Sequence, residues 1–385
     1  MQIYENIRII ASCMPTIAFI NKGFPEGGVA RVTIDIARYC KKYAPEFKIV
    51  ILGKRILPIP EDIKDLISGA YPGLDVYQNA LNAGADLIVA CSTTLKEAPE
   101  ARKRGIKVIY ANHGESFTDR YAIMSHRMQH KLLWHLLYRR KFQDGTLALR
   151  MAQERVVRNY LNSDAYVVLC EGYKEETIAV LPPEEGPRHI LAINNPEYPV
   201  ENPNLSKEKI ILFSGRLNDY DKAPDRLMRI WAKVQDQLPE YTLEIVGDGP
   251  ERANLEAQAT ELGLKNYRFE GWKRDVSPWY EKADILCLVS RTEGWPLCVS
   301  EALAHGVIPV AVNCSAGVNE LLDGTGFPVP PADEDLFAKA LVKAARLSEE
   351  EKLELRKKGI AKAASLDPDT ICAKWVNLFR EVLSK

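Results

Sequence analysis

The sequence predicts an α/β protein with two doubly wound parallel sheets. Apolar runs alternate with helix-patterned segments along most of the chain, which is typical of parallel sheets covered by helices on both faces. This alternation is interrupted at residues 194–204 by a stretch rich in proline and asparagine, and then it starts again. With 385 residues, the chain is long enough for a separate core on each side of the interruption.

The first half contains five apolar runs that predict buried strands. They lie at 16–20, 48–52, 87–90, 107–111 and 166–169. Strands of a parallel sheet are buried on both faces, so they are apolar throughout rather than alternating. After the first run, Val29, Val32, Ile36 and Cys40 recur at the spacing that covers one face of a helix.

The second half repeats this pattern. Apolar runs predict strands at 210–213, 242–246, 267–270, 284–289 and 307–312, with helices at 224–237 and 250–262 among them. We therefore predict a first domain at 1–196, a second domain at 197–366 and a C-terminal helical segment at 367–385.

The composition is that of a globular protein. The formal net charge of -1 gives no general attraction to nucleic acid. The eight cysteines are scattered without a Cys-x-x-Cys pair, which favours reduced thiols in a cytoplasm over a disulfide framework or a zinc site. Residues 1–16 lack the pattern of a signal peptide, and no apolar run reaches the length of a membrane helix.

The stretch that joins the predicted strands 284–289 and 307–312 indicates a ligand site. Pro296 suits the first position of a helix and Gly306 the position just after its end. Glu293 precedes this helix start and Glu301 follows it, eight positions later. A helix start attracts phosphate, and carboxylates beside it favour a ligand that also carries hydroxyl groups, such as a nucleotide sugar. The alternative is two solvated glutamates at an ordinary helix start.

The segment Glu-Gly-Trp-Pro-Leu-Cys-Val-Ser-Glu at 293–301 resembles the paired-glutamate motif of the family 4 retaining glycosyltransferases of GT-B fold. That resemblance implies two Rossmann-like domains facing each other across a cleft, with a final helix that crosses back to the first domain. It also implies that Glu293 contacts the donor sugar and Glu301 the ribose. The main chain of Gly294, Trp295, Leu297 and Cys298 would then contact the diphosphate. Many members have glycine at the position of Pro296, which lacks an N–H group, so the neighbouring amides must supply the anion contacts.

Two cations follow the predicted strand at 210–213. Arg216 comes after Gly215 in Ser-Gly-Arg-Leu, and Lys222 lies six residues further on. Ligands bind at the carboxyl ends of strands in open α/β sheets. In the family, the matching Arg and Lys hold the donor diphosphate, where cations stabilise the charge that develops as the sugar–phosphate bond breaks. The alternative is a pair of surface cations in a loop.

Two further segments resemble donor-site segments of the family. In Val-Gly-Asp-Gly-Pro at 246–250, Arg252 stands where a dinucleotide fingerprint has its third glycine, so we exclude a nicotinamide site. We expect Asp248 and Gly249 instead to form a tight turn near the donor. Trp272 follows a segment that borders the nucleobase in the family, and it either stacks on the base or lies in the core.

The first domain carries a thinner resemblance. Gly27 and Gly28 follow the first strand and open a helix, where glycine allows a ligand to approach the backbone. His113 ends another strand, in Asn-His-Gly, and resembles a histidine that reaches the donor sugar. An isolated histidine that only satisfies its own hydrogen bonds is the alternative.

Residues 126–142 form the most basic stretch, with apolar and aromatic residues among the cations. Such a helix could rest on an anionic membrane surface at the inner face of a cell membrane, where a lipid-linked acceptor would be found. A long surface helix packed on its apolar side is the alternative reading.

We predict no cofactor and no metal. Asp-x-Asp occurs at 219–221, 333–335 and 367–369, but none follows an apolar strand, and the last two precede helices, where aspartate is a common cap. The resemblance implies a hexosyltransferase that moves a sugar from a nucleotide diphosphate donor to a saccharide or lipid-linked acceptor, in polysaccharide or glycolipid assembly. The alternatives are a sugar-nucleotide epimerase or hydrolase of the same fold, and a non-catalytic two-lobed binding protein.

Overall fold

The computed structural model describes residues 14–114, 146–186, 189–219, 221–331 and 333–385, and these form two compact units. Unit 1 comprises Met1–Pro196 and Pro368–Lys385, and unit 2 comprises Glu197–Asp367. The basic segment 126–142 and the N-terminal residues 1–13, on which the membrane and signal-peptide expectations depend, lie outside the described residues.

Unit 1 contains one parallel sheet of seven strands. They are β1 (Thr16–Ile20), β2 (Lys48–Gly53), β3 (Gly69–Pro72), β4 (Leu87–Cys91), β5 (Lys107–Ala111), β6 (Ala165–Val168) and β7 (Ile190–Ala192). Their spatial order is β3-β2-β1-β4-β5-β6-β7. β1 and β4 are buried along their whole length, which explains why these strands are continuously apolar.

The helices of unit 1 include one from the C-terminal end of the chain. They are α1 (Gly28–Tyr43), α2 (Glu61–Lys64), α3 (Val76–Asn82), α4 (Ala98–Lys103), α5 (Thr146–Leu161), α6 (Glu171–Ile178) and α14 (Pro368–Leu383). α14 packs against α1. Phe379 of α14 is fully buried, with its ring 6.2 Å from that of Phe19 and 6.0 Å from that of Phe47. α14 therefore completes the core of unit 1.

Unit 2 contains a parallel sheet of six strands. They are β8 (Ile210–Ser214), β9 (Thr242–Val246), β10 (Tyr267–Gly271), β11 (Ile285–Leu288), β12 (Ile308–Val312) and β13 (Phe327–Val329), in the order β10-β9-β8-β11-β12-β13. The helices are α7 (Pro224–Val234), α8 (Arg252–Glu261), α9 (Ser277–Lys282), α10 (Leu297–Ala304), α11 (Ala316–Leu322), α12 (Glu334–Ala345) and α13 (Glu349–Ala364). The predicted fold class, with two doubly wound parallel sheets, is confirmed.

Each sheet has a point where its strand order reverses. In unit 2 this point lies between β8 and β11, which are neighbours in space although β9 and β10 separate them in sequence. The connections that leave two such strands run to opposite faces of the sheet, so a crevice opens at their carboxyl ends. The loops after β8 and β11 carry the cations and the first glutamate that the sequence analysis selected.

The helix start at Pro296 differs from the prediction. Helix α10 begins at Leu297, and Pro296 is its N-cap residue, with φ -72° and ψ 99°, rather than its first helical residue. The carbonyl of Pro296 accepts hydrogen bonds from the N–H groups of Val299 and Ser300. The amides of Leu297 and Cys298 therefore precede the first hydrogen bond of the helix, where N–H groups are available to an anion.

Candidate active site

The centre of the site is an ion pair between the loops that follow β8 and β11. Nζ of Lys222 lies 2.6 Å from Oε1 of Glu293. The carboxylate of Glu293 is buried, and the side chain of Lys222 retains 23% of its exposure. The structure thus brings together two residues, 71 positions apart, that were both predicted from the sequence as donor-site residues.

The electrostatics of this pair favour its charged form. Burial lowers the pKa of Lys222, but the negative charge and hydrogen bond of Glu293 outweigh burial and raise the pKa above that of a free lysine. Oε1 of Glu293 also accepts a hydrogen bond of 2.6 Å from Oγ of Ser290, a fully buried residue two positions after the end of β11. Two donors therefore converge on one carboxylate oxygen and fix its orientation.

Arg216 lies in the loop after β8 and is exposed. That loop is joined to the loop after β9 by backbone hydrogen bonds: the N–H of Gly215 donates to Val246 and the N–H of Leu217 donates to Asp248. Glycine is required here because a Cβ on Gly249 would lie 2.3 Å from the carbonyl oxygen of Leu217. The close approach holds the segment that carries Arg216 at the carboxyl edge of the sheet.

The second glutamate lies on the other side of the helix start. Glu301 is in the second turn of α10, and its Oε2 accepts a hydrogen bond of 3.0 Å from the hydroxyl of Tyr280 in α9. Burial, together with the charge of Glu301, raises the pKa of Tyr280, so this hydroxyl remains a donor. Its ring stacks on that of His305, with the centroids 5.6 Å apart.

The residues between the two glutamates lie at different depths. Gly294, Leu297 and Cys298 are half-buried. Burial raises the pKa of Cys298 to about 12, so its thiol stays protonated at neutral pH. The ring of Trp295 is buried, and its Nε1 has no hydrogen-bond partner among the described residues.

The other predicted donor-site residues of unit 2 lie at the surface. Asp248 is exposed, and its Oδ1 accepts a hydrogen bond of 2.7 Å from the N–H of Gly249, which closes the tight turn after β9. Trp272 is 71% exposed just after β10. The alternative that placed Trp272 in the core is wrong, whereas its stacking on a base remains a prediction.

The predicted site residues of unit 1 lie at the carboxyl edge of its own sheet. Gly27 is the N-cap of α1 and has φ 89°, a left-handed conformation that favours glycine, and Gly28 begins the helix. His113 follows β5, and its N–H donates to Oγ of Ser92, after β4, at 2.8 Å. Burial lowers the pKa of His113 to about 4, so its ring is neutral at pH 7. Its Nδ1 is buried and has no partner in the part of the chain that the structure describes.

The Asp-x-Asp pairs have structural explanations. Asp333 is the N-cap of α12 and accepts a hydrogen bond from the N–H of Leu336, as predicted. Asp369 lies in the first turn of α14, and Asp219 forms an ion pair with Arg291. Among residues 14–114, 146–186, 189–219, 221–331 and 333–385, the structure contains no group of three His, Cys, Asp or Glu side chains that could hold a metal. No described helix has the length and apolarity needed to cross a bilayer.

Neither Ser290 nor Tyr280 was predicted as a site residue, although each donates a hydrogen bond to one of the two glutamates. A signal was present for Ser290, which follows an apolar run and precedes Glu293 by three residues. Tyr280 is 21 residues from Glu301, and only the packing of α9 beside α10 joins them.

Comparison with known proteins finds a family model that matches most of the second unit. Residues 208–346 match the family model described as glycosyl transferases group 1. These residues include both glutamates of the site and both cations.

Two curated relatives match part of the chain. A protein of Haemophilus influenzae, described as an uncharacterized glycosyltransferase, is 40% identical over 138 residues, which is 35% of this chain and 39% of that protein. An α-1,4-N-acetyl-D-galactosaminyltransferase of Campylobacter jejuni, which by its name acts on a saccharide linked to undecaprenol diphosphate, is 32% identical over 182 residues. That match covers 46% of this chain and 50% of the relative. The chain thus spans about half, or less, of the length of these relatives.

A solved structure extends the comparison to both units. Anabaena HepE in complex with UDP-glucose superposes with a TM-score of 0.70, at 18% identity, over 95% of this chain and 99% of that one. At this identity the likeness shows the fold alone. Its two parallel sheets and this superposition show that the chain has the GT-B fold. Its residues 208–346 are similar to the glycosyl transferases group 1 family.

Proposed function

We propose that this protein is a retaining glycosyltransferase that moves a hexose-type sugar from a nucleotide diphosphate donor to an acceptor hydroxyl. The observation that carries the proposal is the convergence of Lys222 and Glu293 at the switch point of the sheet in unit 2, beside the start of α10. Glycosyltransferases among the relatives support the same activity.

The cations and the helix start would bind the diphosphate. Arg216 is exposed, Lys222 is partly exposed, and the amides of Leu297 and Cys298 begin α10 shortly after Glu293, the partner of Lys222. When the bond between sugar and phosphate breaks, negative charge increases on the diphosphate. Preplaced cations and N–H groups stabilise that charge in the transition state more than in the ground state, which lowers the barrier.

Glu293 would position the transferred sugar. It is the carboxylate nearest to Lys222, so a diphosphate bound at Lys222 places the attached sugar beside it. A fixed carboxylate there orients the sugar hydroxyls and stabilises the positive charge that develops on the ring. Glu301 lies beyond the helix start and would hold the ribose hydroxyls. In a retaining reaction the departing diphosphate takes the proton of the acceptor on the same face of the sugar.

We further propose that the enzyme needs no metal. Arg216 and Lys222 carry the positive charge that a divalent cation supplies to a diphosphate in metal-dependent enzymes. The test is turnover after dialysis against EDTA, with readdition of Mg²⁺ or Mn²⁺ as the comparison. Turnover that EDTA abolishes and metal restores would contradict the proposal.

The acceptor is proposed from the relatives. The Campylobacter jejuni relative is named for transfer to a saccharide on undecaprenol diphosphate, and other relatives are named for O-antigen or lipopolysaccharide core biosynthesis. A saccharide or lipid-linked acceptor in polysaccharide or glycolipid assembly, met at the cytoplasmic face of a membrane, fits these names. The seven cysteines that the structure describes are all free thiols, as a reducing compartment requires.

A donor screen tests the proposed activity. Calorimetric titration with UDP, GDP and their sugars identifies the nucleotide, and slow hydrolysis of the bound donor identifies the sugar. Addition of saccharide acceptors should then produce a glycoside with the donor's anomeric configuration, measured by NMR. Conversion of the sugar that no acceptor accelerates, and that yields no glycoside, would indicate an epimerase or hydrolase. Binding without any conversion would indicate a binding protein.

A further inference from the structure

Each of the two glutamates in the site receives a hydrogen bond from a hydroxyl that is itself buried. Oγ of Ser290 donates to Glu293 at 2.6 Å, and the hydroxyl of Tyr280 donates to Glu301 at 3.0 Å. Ser290 is 0% exposed and Tyr280 is 2% exposed. Neither side chain can therefore touch a ligand, and each can act on a ligand only through its glutamate.

We propose that Ser290 and Tyr280 are positioning residues with separate tasks: Ser290 orients Glu293 for the transferred sugar, and Tyr280 orients Glu301 for the ribose. This inference rests on the proposed function and deepens it, because it divides the site into a half that serves the chemical step and a half that serves nucleotide binding.

The first task follows from the geometry around Glu293. Its Oε1 accepts hydrogen bonds from Ser290 and from Lys222, each at 2.6 Å. Lys222 also faces the site of the diphosphate, so a bound donor competes with Glu293 for its ammonium group. Ser290 is buried and meets no such competition. It therefore holds the carboxylate in place while the donor is bound, when the reaction requires that orientation.

The second task follows from the position of Tyr280. It belongs to α9, whereas Glu301 belongs to α10, so the hydrogen bond joins two helices. The ring of Tyr280 is fixed by stacking on His305, so its hydroxyl has one direction in which to point. A carboxylate that binds two vicinal hydroxyl groups must be oriented in advance, because each disordered side chain adds an entropic cost to binding.

The test compares two hydroxyl deletions in the full chain. Ser290→Ala should lower kcat about tenfold to a hundredfold, the loss expected when a reacting group is misplaced by a fraction of an ångström. Its Kd for the nucleoside diphosphate, which lacks the sugar, should stay within about twofold of the wild-type value. Tyr280→Phe should show the converse, with Kd and KM raised about fivefold to tenfold and kcat nearly unchanged.

Three further variants serve as rescue and controls. Ser290→Thr keeps the hydroxyl and should recover most of the lost turnover. Tyr241→Phe and Thr325→Val each remove a buried hydroxyl elsewhere in unit 2, from partners Asp284 and Leu321. Both should lower the Tm without a specific change in kcat or in Kd.

The possible failures can be told apart. The role of Ser290 would be overturned if the wild type is active and Ser290→Ala turns over normally. It would also be overturned if Ser290→Ala loses kcat only in proportion to its loss of Tm, as the controls do. The same holds for Tyr280 if Tyr280→Phe leaves nucleotide binding unchanged. A wild type that neither binds a nucleoside diphosphate nor converts any nucleotide sugar would overturn the proposed function, and this inference with it.

Discussion

The two ends of strand β11 each carry an ion pair, and the pairs differ in what surrounds them. At the amino end, Asp284 is joined to Lys352 at 2.6 Å and to Arg356 at 2.5 Å, with the hydroxyl of Tyr241 at 2.6 Å. These four side chains are between 0% and 3% exposed. At the carboxyl end, the cation that pairs with Glu293 retains 23% of its exposure.

The difference separates a structural pair from one that can exchange partners. Every donor around Asp284 belongs to the protein, and water cannot reach any of them. Replacing one partner would leave a buried charge uncompensated. Lys222 is within reach of solvent, and under the proposed function an anion takes the place of Glu293 beside it. Ion pairs of similar length on one strand thus differ in exposure, and we propose that they differ in use as well.

The largest change in the free energy of unfolding is expected for the ion pair at the amino end of β11. Asp284→Ala leaves two buried cations without a carboxylate and should lower the free energy of unfolding by about 3–5 kcal/mol. Urea unfolding measures this loss. Asp236→Ala is the matched control, because the ion pair of Asp236 with Lys265 is exposed, and its loss should cost less than about 0.5 kcal/mol. A loss under about 1 kcal/mol for Asp284→Ala would contradict the structural role.

Loss of the ion pair at the carboxyl end of β11 should reduce turnover more than stability. Glu293→Ala should lower turnover by about 10²- to 10³-fold, because the sugar loses its positioning carboxylate. The free energy of unfolding should fall by about 1–2 kcal/mol, less than for Asp284→Ala, because Lys222 can be hydrated and only the buried hydroxyl of Ser290 loses its acceptor. Initial rates and urea unfolding of the same preparations measure both. Glu256→Ala, which removes an exposed carboxylate on α8, is the control and should change neither quantity.

A third test concerns the exposed cation. Arg216→Ala should lower turnover about a hundredfold without loss of stability, because the diphosphate loses one of its two cations in the transition state. The loss should appear in kcat/KM. Arg268→Ala removes another exposed arginine, paired with Glu244, and should leave kcat/KM unchanged. If both variants have equal activity, Arg216 has no role in the reaction.

The smallest expected effect is a change in the stability that the protein loses in acid, and it concerns Asp284 at the amino end of β11. Burial raises the pKa of Asp284, but hydrogen bonds from Lys352 and Tyr241 and the charges of Lys352 and Arg356 outweigh it, so the pKa is lowered. A lowered pKa gives stability that is present above the unfolded value of about 3.9 and is lost as the pH falls through the folded value. Tyr241→Phe removes one of the hydrogen bonds and brings the folded pKa closer to the unfolded value, so the total loss of stability in acid should be smaller.

Urea unfolding between pH 6 and pH 2 measures that loss, because the folded pKa of Asp284 lies below its ordinary value. Tyr160→Phe, which removes a hydroxyl bonded to the carbonyl of Gly186 in unit 1, is the control and should leave the pH profile unchanged. Identical profiles for wild type and Tyr241→Phe would show that this hydroxyl does not set the pKa of Asp284.

The sequence predicted the interior of both sheets, and its failures lie at their edges. The missed strands β3, β7 and β13 are all edge strands, and two of them have only three residues. An edge strand is covered on fewer sides and needs no continuous apolar run. Interior strands are buried on both faces, so their apolar runs were visible in the sequence.

The candidate site was predictable where it depends on position along a strand. Arg216, Lys222 and Glu293 could be selected because their segments follow apolar runs and resemble donor-site segments of a known family, and the carboxyl ends of parallel strands meet at one edge. The contact of Tyr280 with Glu301 depends on how α9 packs beside α10, which no spacing in the sequence reveals. The start of α10 was misplaced by one residue, because proline is acceptable both as N-cap and at the first helical position.

The place of α14 in unit 1 has a consequence for synthesis on the ribosome. Residues Glu197–Asp367 emerge before α14 does, so unit 2 can fold as soon as it leaves the exit tunnel. Unit 1 must wait for the last helix, with the apolar surface around Phe19 and Phe47 uncovered in the meantime. In the nascent chain, synthesis of unit 1 therefore begins before that of unit 2, but folding of unit 1 is completed later. A fragment that stops at residue 196 would expose that surface permanently.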